Sequence, residues 1–214
     1  MLLLILLIII IVIIYVFVNF KLKIKFKTFL HKGFKAEKGP FGVYCFCGKQ
    51  GRGKTYSVVE FLNDYKDKEI YANIKSIKGI NYTYIEGFEE LLSLRDKHDC
   101  IIVFDEIFTA LTRTSKMSTE VLDFLSQMRK RKIIFLTTAQ EWLEINITLR
   151  RYCRYQIECH IFNILNRSFL LKQFFDAEQM KWSNLDNEYI APIISTTISK
   201  CQKIVLTRKT YLIY

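Results

Sequence analysis

The chain has 214 residues and a formal net charge of +11, from 32 basic and 21 acidic side chains. This length suits one domain of ordinary size with an appendage, and the basic excess permits a polyanionic partner without requiring one. The six cysteines form no CxxC pair and no histidine stands at zinc-finger spacing, which argues against a zinc site and favours reduced thiols in a cytosolic domain.

The N-terminal segment is strongly apolar. Residues 2–18 contain no charged residue, glycine or proline, and as a helix they would extend roughly 25 Å, near the thickness of a bilayer core. A cleaved signal peptide carries its basic residues ahead of the apolar run, whereas here they follow it. The sequence therefore predicts one transmembrane anchor over residues 1–20, with a signal peptide or a buried helix as the alternatives.

The next segment is basic, with seven lysines and one acidic residue between positions 21 and 38. Basic residues beside an apolar span stay on the cytoplasmic side and favour anionic headgroups. This predicts a basic membrane-proximal linker over residues 21–38, an N-terminus outside, and a cytoplasmic domain over residues 39–214. The expected location is the cytoplasmic membrane, crossed once, although a plain solvated linker also explains the lysines.

The stretch from 48 to 55 fits the phosphate-binding pattern G-x-x-x-x-G-K-[ST] without a mismatch. An apolar run at 41–47 precedes it, and Val58, Val59 and Leu62 follow it at helical spacing. A strand, a glycine loop and a helix are the context that a phosphate cradle requires; a plain glycine-rich turn is the alternative. The predicted nucleotide-binding residues are Gly48, Lys49, Gln50, Gly51, Arg52, Gly53, Lys54 and Thr55.

The residue types in this loop carry a defined chemistry. Glycines allow backbone N–H groups to converge on phosphates at the start of a helix. Lys54 is expected to reach the β- and γ-phosphates and to act in catalysis, and Thr55 is expected to place its hydroxyl on Mg²⁺. The predicted cofactors are therefore ATP and Mg²⁺.

A second motif lies further along the chain, where the segment 99–108 reads as a buried strand ending in Asp105 and Glu106. A strand that is apolar on both faces belongs in the middle of a parallel sheet, and open α/β sheets bind ligands at the carboxyl ends of their strands. Asp105 is expected to hold Mg²⁺ through water, and Glu106 to polarise the attacking water as a general base. The alternative is that both acids only cap the following segment.

A third apolar strand, 132–140, ends in Gln140. A polar residue at this point is placed to contact the γ-phosphate or the lytic water; a strand-end glutamine in solvent is the alternative. Residues 119–132, between the second and third strands, read as an amphipathic helix with a basic end. Those cations also suit the dipole of a helix C-terminus, so the cluster need not bind a ligand.

Together these elements predict an α/β fold, a RecA-like P-loop NTPase whose mostly parallel central sheet is flanked by helices and preceded by one N-terminal transmembrane helix. The domain would carry a C-terminal β-hairpin extension from residue 155 onward. After it we expect a loop-like stretch with a short helix over 176–196 and a last strand over 201–214. Trp142 and Trp182 are expected to be half-buried packing residues rather than stacking platforms for bases.

The ordered set of motifs resembles the zonula occludens toxin family, which includes the assembly ATPases of filamentous phages, within the FtsK–HerA superfamily of DNA-pumping motors. The resemblance covers residues 41–160 and is carried by the phosphate loop, YANI, IIVFDE, FLSQMRKRK, IIFLTTAQ and INITLRRYCRYQI. It maps the basic pair of the helix before the third strand to Arg129 and Arg131, and it implies that Gln140 is a sensor. It also implies that Arg150 or Arg151 reaches the nucleotide of a neighbouring subunit.

Together with the predicted anchor, the resemblance implies a membrane-anchored ATPase that couples ATP hydrolysis to movement of phage DNA during virion assembly, extrusion or packaging. An arginine that reaches a neighbouring subunit further implies a homo-oligomeric ring. In the filamentous-phage ATPases the membrane span typically follows the ATPase domain, whereas here the apolar segment precedes it. Virion coat proteins are further expected partners, and contacts to DNA are expected to be to its backbone. The alternatives are a plasmid or conjugative DNA-pumping ATPase and a nucleotide-binding membrane assembly scaffold without DNA translocation. A small-molecule kinase would leave the anchor and the Asp-Glu pair unexplained, and the LSGGQ and NKxD stretches of ABC-type ATPases and GTPases are absent.

Overall fold

The computed structural model describes residues 2–20, 40–164, 167–184 and 188–201. The helices within these ranges are α1 (Leu2–Phe20), α2 (Lys54–Asn63), α3 (Thr119–Gln127) and α4 (Ile147–Tyr152). The strands are β1 (Gly42–Cys47), β2 (Glu69–Ala72), β3 (Thr83–Tyr84), β4 (Cys100–Phe104), β5 (Ile134–Ala139), β6 (Cys153–Ile164), β7 (Arg167–Asp176), β8 (Lys181–Ser183), β9 (Glu188–Ile190) and β10 (Ile193–Lys200). Short 3₁₀ turns cover Phe88–Leu94, Ile107–Thr109, Trp142–Glu144 and Ala177–Gln179.

Eight of these strands form one sheet in the order β10-β7-β6-β1-β5-β4-β2-β3. Every neighbouring pair from β6 to β3 is parallel, whereas β7 and β10 join antiparallel at one side. Strands β8 and β9 form a separate antiparallel ribbon. The predicted α/β fold with a mostly parallel central sheet and flanking helices is thus confirmed.

The three central strands β1, β4 and β5 are buried along their whole length. Helices or loops cover both faces of a parallel sheet, so its inner strands are continuously apolar rather than alternating. Strand β5 lies between β1 and β4, although it follows both of them in the chain. This insertion separates the strand before the phosphate loop from the strand that ends at Asp105, and it places Gln140 between them.

Each face of the sheet packs its own apolar layer. Helix α2 contributes Val58 and Leu62 to the layer on one face. Helix α3 contributes Val121, Phe124 and Leu125 to the layer on the opposite face. The spacing of these side chains keeps one stripe of each helix against the sheet, as an amphipathic helix requires.

Helix α3 is shorter than the predicted helix over 119–132 because the chain closes on itself after Gln127. The N–H of Ile133 donates to the carbonyl of Met128 at 2.8 Å, and the N–H of Lys132 donates to that of Arg129 at 3.2 Å. Lys132 has φ +57°. A residue in the left-handed region with these two bonds is a Schellman closure, which ends a helix and lets the next strand begin.

The chain after residue 153 differs in part from expectation. Strands β6 and β7 form a long antiparallel hairpin at the position predicted for one, and it extends the sheet beside β1. The stretch predicted as loop-like over 176–196 instead contains the β8–β9 ribbon and the start of β10. β-Branched Ile and Thr residues in β10 were the available strand signal. Apart from Cys201, the last strand predicted over 201–214 lies outside the described residues.

Helix α1 contains the N-terminal apolar segment, and its side chains from Leu4 to Tyr15 are exposed. Within the part of the chain that the structure describes, no helix combines the length and apolarity needed to cross a membrane. The predicted transmembrane anchor over residues 1–20 is therefore not supported. The predicted linker over residues 21–38 lies outside the described residues.

The packing of β5 leads to a stability prediction. Phe135 is fully buried in the apolar layer, so Phe135→Ala should lower the free energy of unfolding by about 3–5 kcal/mol through lost burial and the cavity left behind. Ile198 in β10 is 47% exposed, and Ile198→Ala should change the free energy of unfolding by less than about 1 kcal/mol. Urea denaturation of both variants measures the difference; equal effects would contradict the placement of β5 in the core.

Candidate active site

The phosphate loop connects β1 to α2, and its lysine lies folded across it. Lys54 is the first residue of α2 and is only 9% exposed. Its Nζ donates to the carbonyl oxygen of Gly48 at 2.7 Å and to that of Lys49 at 3.4 Å. The ammonium is thus held over the loop by backbone carbonyls, at the N-terminus of α2, where phosphates are expected to bind.

Three glycines in the loop adopt backbone conformations that favour glycine, and two of them are also crowded. Gly48 has φ +154°, and a Cβ there would lie 2.9 Å from the carbonyl oxygen of Cys159. Gly53 has φ +84°, and a Cβ there would lie 2.8 Å from Cδ1 of Ile161 and 3.1 Å from Cδ1 of Leu170. Gly51 has φ +76°, and a Cβ there would meet open space. The β6–β7 hairpin therefore packs directly against the loop at Gly53.

Asp105 follows β4 and lies beside the first turn of α2. It is 8% exposed, and each of its carboxylate oxygens has a hydroxyl donor. Thr55 Oγ1 donates to Oδ2 at 3.0 Å, and Thr138 Oγ1 donates to Oδ1. The structure thus brings the two predicted metal-binding residues, Thr55 and Asp105, into direct contact.

The backbone of Asp105 is held from the other side by Asn73, at the end of β2. Asn73 Nδ2 donates to the carbonyl of Asp105 at 3.1 Å, and the N–H of Asp105 donates to Asn73 Oδ1 at 2.6 Å. Sequence reasoning assigned no role to Asn73 or Thr138, because nothing in their local sequence indicates which distant residue they contact. Both were within the motifs YANI and IIFLTTAQ.

Glu106 adopts a strained conformation that directs its side chain to solvent. It has φ +53° and ψ +51°, in the left-handed region, and it is exposed. A non-glycine residue in this region costs about 1–3 kcal/mol and persists only where neighbours enforce it. The N–H of Glu106 donates to Thr138 Oγ1 at 2.8 Å, and its carbonyl accepts from Thr109 N at 3.0 Å and Thr109 Oγ1 at 2.8 Å.

Gln140 directly follows β5 and lies exposed beside the start of the phosphate loop. The N–H of Gly48 donates to the carbonyl of Gln140 at 3.1 Å and to that of Ala139 at 3.3 Å. A groove of about 530 Å³ opens next to this point. Its lining includes Gly48, Lys49, Arg52, Gln140, Trp142, Glu158, His160 and Tyr189.

The predicted arginines lie elsewhere in the fold. Arg150 and Arg151 are in the last turn of α4, just before β6. Strand β6 begins beside the amino end of β1. The backbone of both arginines therefore lies at the end of the sheet opposite the phosphate loop. The guanidinium of Arg150 lies 5.5 Å from the ring centre of Tyr189. Arg129 forms an ion pair with Glu178. Among the residues that the structure describes, these arginines form no hydrogen bond or ion pair with Lys54 or Asp105.

The tryptophans differ from each other. Trp142 is buried in the apolar layer next to the groove, with 9% exposure. Trp182 is 48% exposed and packs edge-on against Tyr189, with ring centres 5.0 Å apart. Trp182 therefore fits the predicted half-buried packing role, whereas Trp142 is a core residue.

The cysteines of the described residues are all free and buried. Four of them, Cys45, Cys47, Cys153 and Cys159, lie in β1 and β6. Burial raises the pKa of Cys45 well above its usual range and raises that of Cys159 to about 12. A thiol with such a pKa stays neutral and packs as a small hydrophobe.

The glycine loop joins a central strand to a helix and faces an Asp-Glu pair. This pair follows β4, which is separated from β1 by one strand, β5. The arrangement defines the class of protein: this is a P-loop ATPase, and it binds ATP. The family model of the "ATPase family associated with various cellular activities (AAA)" matches residues 44–162. Because this match spans more than half of the chain, the protein belongs to the AAA family.

Solved structures share this fold. The N-terminal domain of zonular occludens toxin from Neisseria meningitidis is similar at a TM-score of 0.52 and 20% identity, covering 82% of this chain and 100% of that chain. The genome packaging NTPase B204 from Sulfolobus turreted icosahedral virus 2, in complex with AMPPCP, is similar at a TM-score of 0.50 and 10% identity, covering 72% and 97%. Among curated proteins, none matches this sequence. The predicted resemblance to the zonula occludens toxin family is confirmed at the level of the fold.

Gly51 and Gly53 offer a matched test. Gly53→Ala and Gly51→Ala introduce the same methyl group at a positive φ, but only the former clashes with the hairpin. We expect Gly53→Ala to weaken ATP binding by at least about tenfold more than Gly51→Ala, because the loop must shift away from Ile161. Titration with a fluorescent ATP analogue measures this. Equal affinities of the two variants would contradict the packing of β6–β7 against the loop.

Proposed function

We propose that this P-loop ATPase hydrolyses ATP with Mg²⁺ and uses the energy to move phage DNA during virion assembly, extrusion or packaging. The observation that carries the proposal is the hydrogen bond between Thr55 and Asp105 at the mouth of the phosphate loop, with Glu106 next to it. This hydrogen bond brings two oxygens that would bind a metal ion close to Lys54 and to the carboxylate of Glu106, at one edge of the sheet.

The oxygens of Thr55 and Asp105 fit Mg²⁺. They are 3.0 Å apart, at the carboxyl end of the sheet and next to Lys54, and Mg²⁺ prefers hard oxygen ligands. Thr55 would hold the ion directly and Asp105 would hold it through water. The ion would neutralise charge on the β- and γ-phosphates.

Glu106, Lys54 and Gln140 supply the remaining catalytic functions. Nζ of Lys54 exchanges the carbonyls of Gly48 and Lys49 for phosphate oxygens when ATP binds, because a charged acceptor forms the stronger hydrogen bond. The Glu106 carboxylate polarises the attacking water as general base. Gln140 senses the γ-phosphate, since its backbone already bonds to the first residue of the loop.

DNA as the cargo is supported by the fold shared with a protein described as a genome packaging NTPase and by the basic charge of the chain. Contacts to DNA are to its backbone and not to its bases. The protein works as a homo-oligomeric ring in which Arg150 or Arg151 completes a neighbour's site, and virion coat proteins are further partners. This role in trans is consistent with the contacts that the structure describes, in which neither arginine bonds to Lys54 or Asp105 of its own subunit.

Attachment to the host cytoplasmic membrane is part of the same proposal. The exposed apolar side chains of α1 from Leu4 to Tyr15 form the kind of surface that marks membrane or protein contact in soluble proteins. With the N-terminus outside and the ATPase domain in the cytoplasm, the motor would lie where DNA leaves or enters the cell.

Two site variants test hydrolysis. Lys54→Ala should abolish ATP turnover because the phosphates lose their cation, and Glu106→Gln should bind ATP yet hydrolyse it at least about 100-fold more slowly because the general base is lost. Phosphate release by the full chain is measured without DNA, with single-stranded DNA and with duplex DNA. Stimulation by single strands indicates extrusion, and stimulation by duplex indicates packaging or conjugative pumping.

The same assay separates the rival functions. A real basal rate that neither DNA stimulates would contradict DNA movement and favour a protein-directed assembly ATPase. If the wild type binds ATP without hydrolysing it, the protein is an assembly scaffold. Turnover by Lys54→Ala or Glu106→Gln at the wild-type rate would contradict the site assignment itself.

Membrane attachment has its own matched pair of variants. Ile9 in α1 and Ile198 in β10 are 50% and 47% exposed. Ile9→Arg should move the protein from the membrane pellet to the supernatant, because an arginine inside an inserted helix costs about 2.5–3.5 kcal/mol. Ile198→Arg should leave the distribution unchanged. Recovery of the wild type in the supernatant after cell fractionation would contradict the proposal.

A further inference from the structure

Thr138, in β5, places one hydroxyl between the two acidic residues of the site. Its Oγ1 donates to Asp105 Oδ1 and accepts from the N–H of Glu106 at 2.8 Å. The directions of both bonds are fixed, because an ionised carboxylate only accepts and a backbone N–H only donates. The single hydroxyl proton and one lone pair of Thr138 are therefore both committed to the Asp-Glu pair.

The burial of this hydroxyl makes its bonds hard to replace by water. Thr138 is fully buried and Asp105 is 8% exposed. A buried carboxylate or N–H that loses its partner is left unsatisfied, and in a low-dielectric surrounding that loss is large. Thr138 thus fixes the plane of the Asp105 carboxylate, whose other oxygen receives Thr55.

The same hydroxyl also holds the left-handed turn at Glu106. The carbonyl of Glu106 is held by Thr109, and its N–H is held by Thr138 alone among the contacts that the structure describes. The φ of +53° at Glu106 requires such restraint on both sides. Without Thr138 the turn can relax, and the carboxylate of Glu106 then loses its place relative to Asp105.

Thr138 is the second-to-last residue of β5, and Gln140 directly follows that strand. The carbonyl of Gln140 accepts a hydrogen bond from the first residue of the phosphate loop. The carboxyl end of β5 therefore contacts the loop, Asp105 and Glu106, and the Thr138 side chain is one link by which a displacement near Gln140 reaches the Asp105 carboxylate and the N–H of Glu106.

We propose that Thr138 is a positioning residue that keeps Asp105 and Glu106 aligned with the strand end carrying Gln140. This inference rests on the proposed function of the site. Thr138 itself contacts neither nucleotide nor metal in this role; it acts through the two acids.

The neighbouring Thr137 provides a matched control. It is also fully buried in β5, but it points to the opposite face of the sheet, where its Oγ1 donates to the carbonyl of Phe104 at 2.9 Å. Thr137→Val and Thr138→Val each remove one buried hydroxyl from the same strand with little change in shape. Only the second removes bonds to the Asp-Glu pair.

The experiment compares wild type with Thr138→Val, Thr138→Ser and Thr137→Val in the full chain. We expect Thr138→Val to lower kcat by about 10–100-fold and to raise the Mg²⁺ concentration for half-maximal activity by a similar factor, as for other residues that orient metal ligands. Thr138→Ser keeps the hydroxyl and should restore most of both losses. Thr137→Val should retain wild-type kcat and Mg²⁺ dependence.

A second readout needs neither nucleotide nor activity. Amide hydrogen exchange at Glu106 in the nucleotide-free chain should be at least about tenfold faster in Thr138→Val than in Thr137→Val, because only the former frees that N–H. If Thr138→Val does not fold, Thr138→Ala serves the same comparison. Unchanged exchange at Glu106, or identical kcat and Mg²⁺ dependence in both valine variants, would overturn the proposal. A wild type without ATPase activity would contradict the proposed function, and the exchange comparison would still decide the role of Thr138.

Discussion

The site depends on one buried carboxylate whose two oxygens are bonded from two different elements. Asp105 accepts hydrogen bonds from Thr55 of α2 and from Thr138 of β5, so the helix that starts at the phosphate loop and the strand that precedes Gln140 meet on a single side chain. This arrangement exists only because β5 is inserted between β1 and β4. Were those strands adjacent, no third strand end would lie between the phosphate loop and the acidic pair.

The antiparallel extension of the sheet also supports the site. The β6–β7 hairpin presents Ile161 and Leu170 to the loop at Gly53, and Lys172 in β7 forms an ion pair with Glu60 in α2. A loop rich in glycine loses much conformational entropy when it is ordered. Because the hairpin packs against the loop and restricts its conformations, the loop loses less conformational entropy when phosphates bind.

Two groups of the proposed site are held by contacts for which ATP and a metal ion would compete. The Lys54 ammonium is bonded to the carbonyl of Gly48, and Thr55 spends its hydroxyl proton on Asp105. Glu106, by contrast, is exposed and adopts a strained left-handed conformation. The proposed general base is thus held in place by its backbone contacts, whereas the groups proposed to bind phosphate and metal are held by partners that ligands could replace.

The sequence by itself determined the phosphate loop, the central strands and the acidic pair, because each is a local pattern: spacing in the loop 48–55, and continuous apolar runs ending in Asp105 and Gln140. Only the tertiary structure decided which strand lies between which, and therefore that Thr138 and Asn73 converge on Asp105. Those contacts join residues 32 and 33 positions apart in the chain, and a hydroxyl or amide side chain carries no local mark of its distant partner. Strand β10 was missed for a related reason, since it is a sheet-edge strand whose pairing with β7 is fixed by long-range register rather than by any periodic pattern of its own.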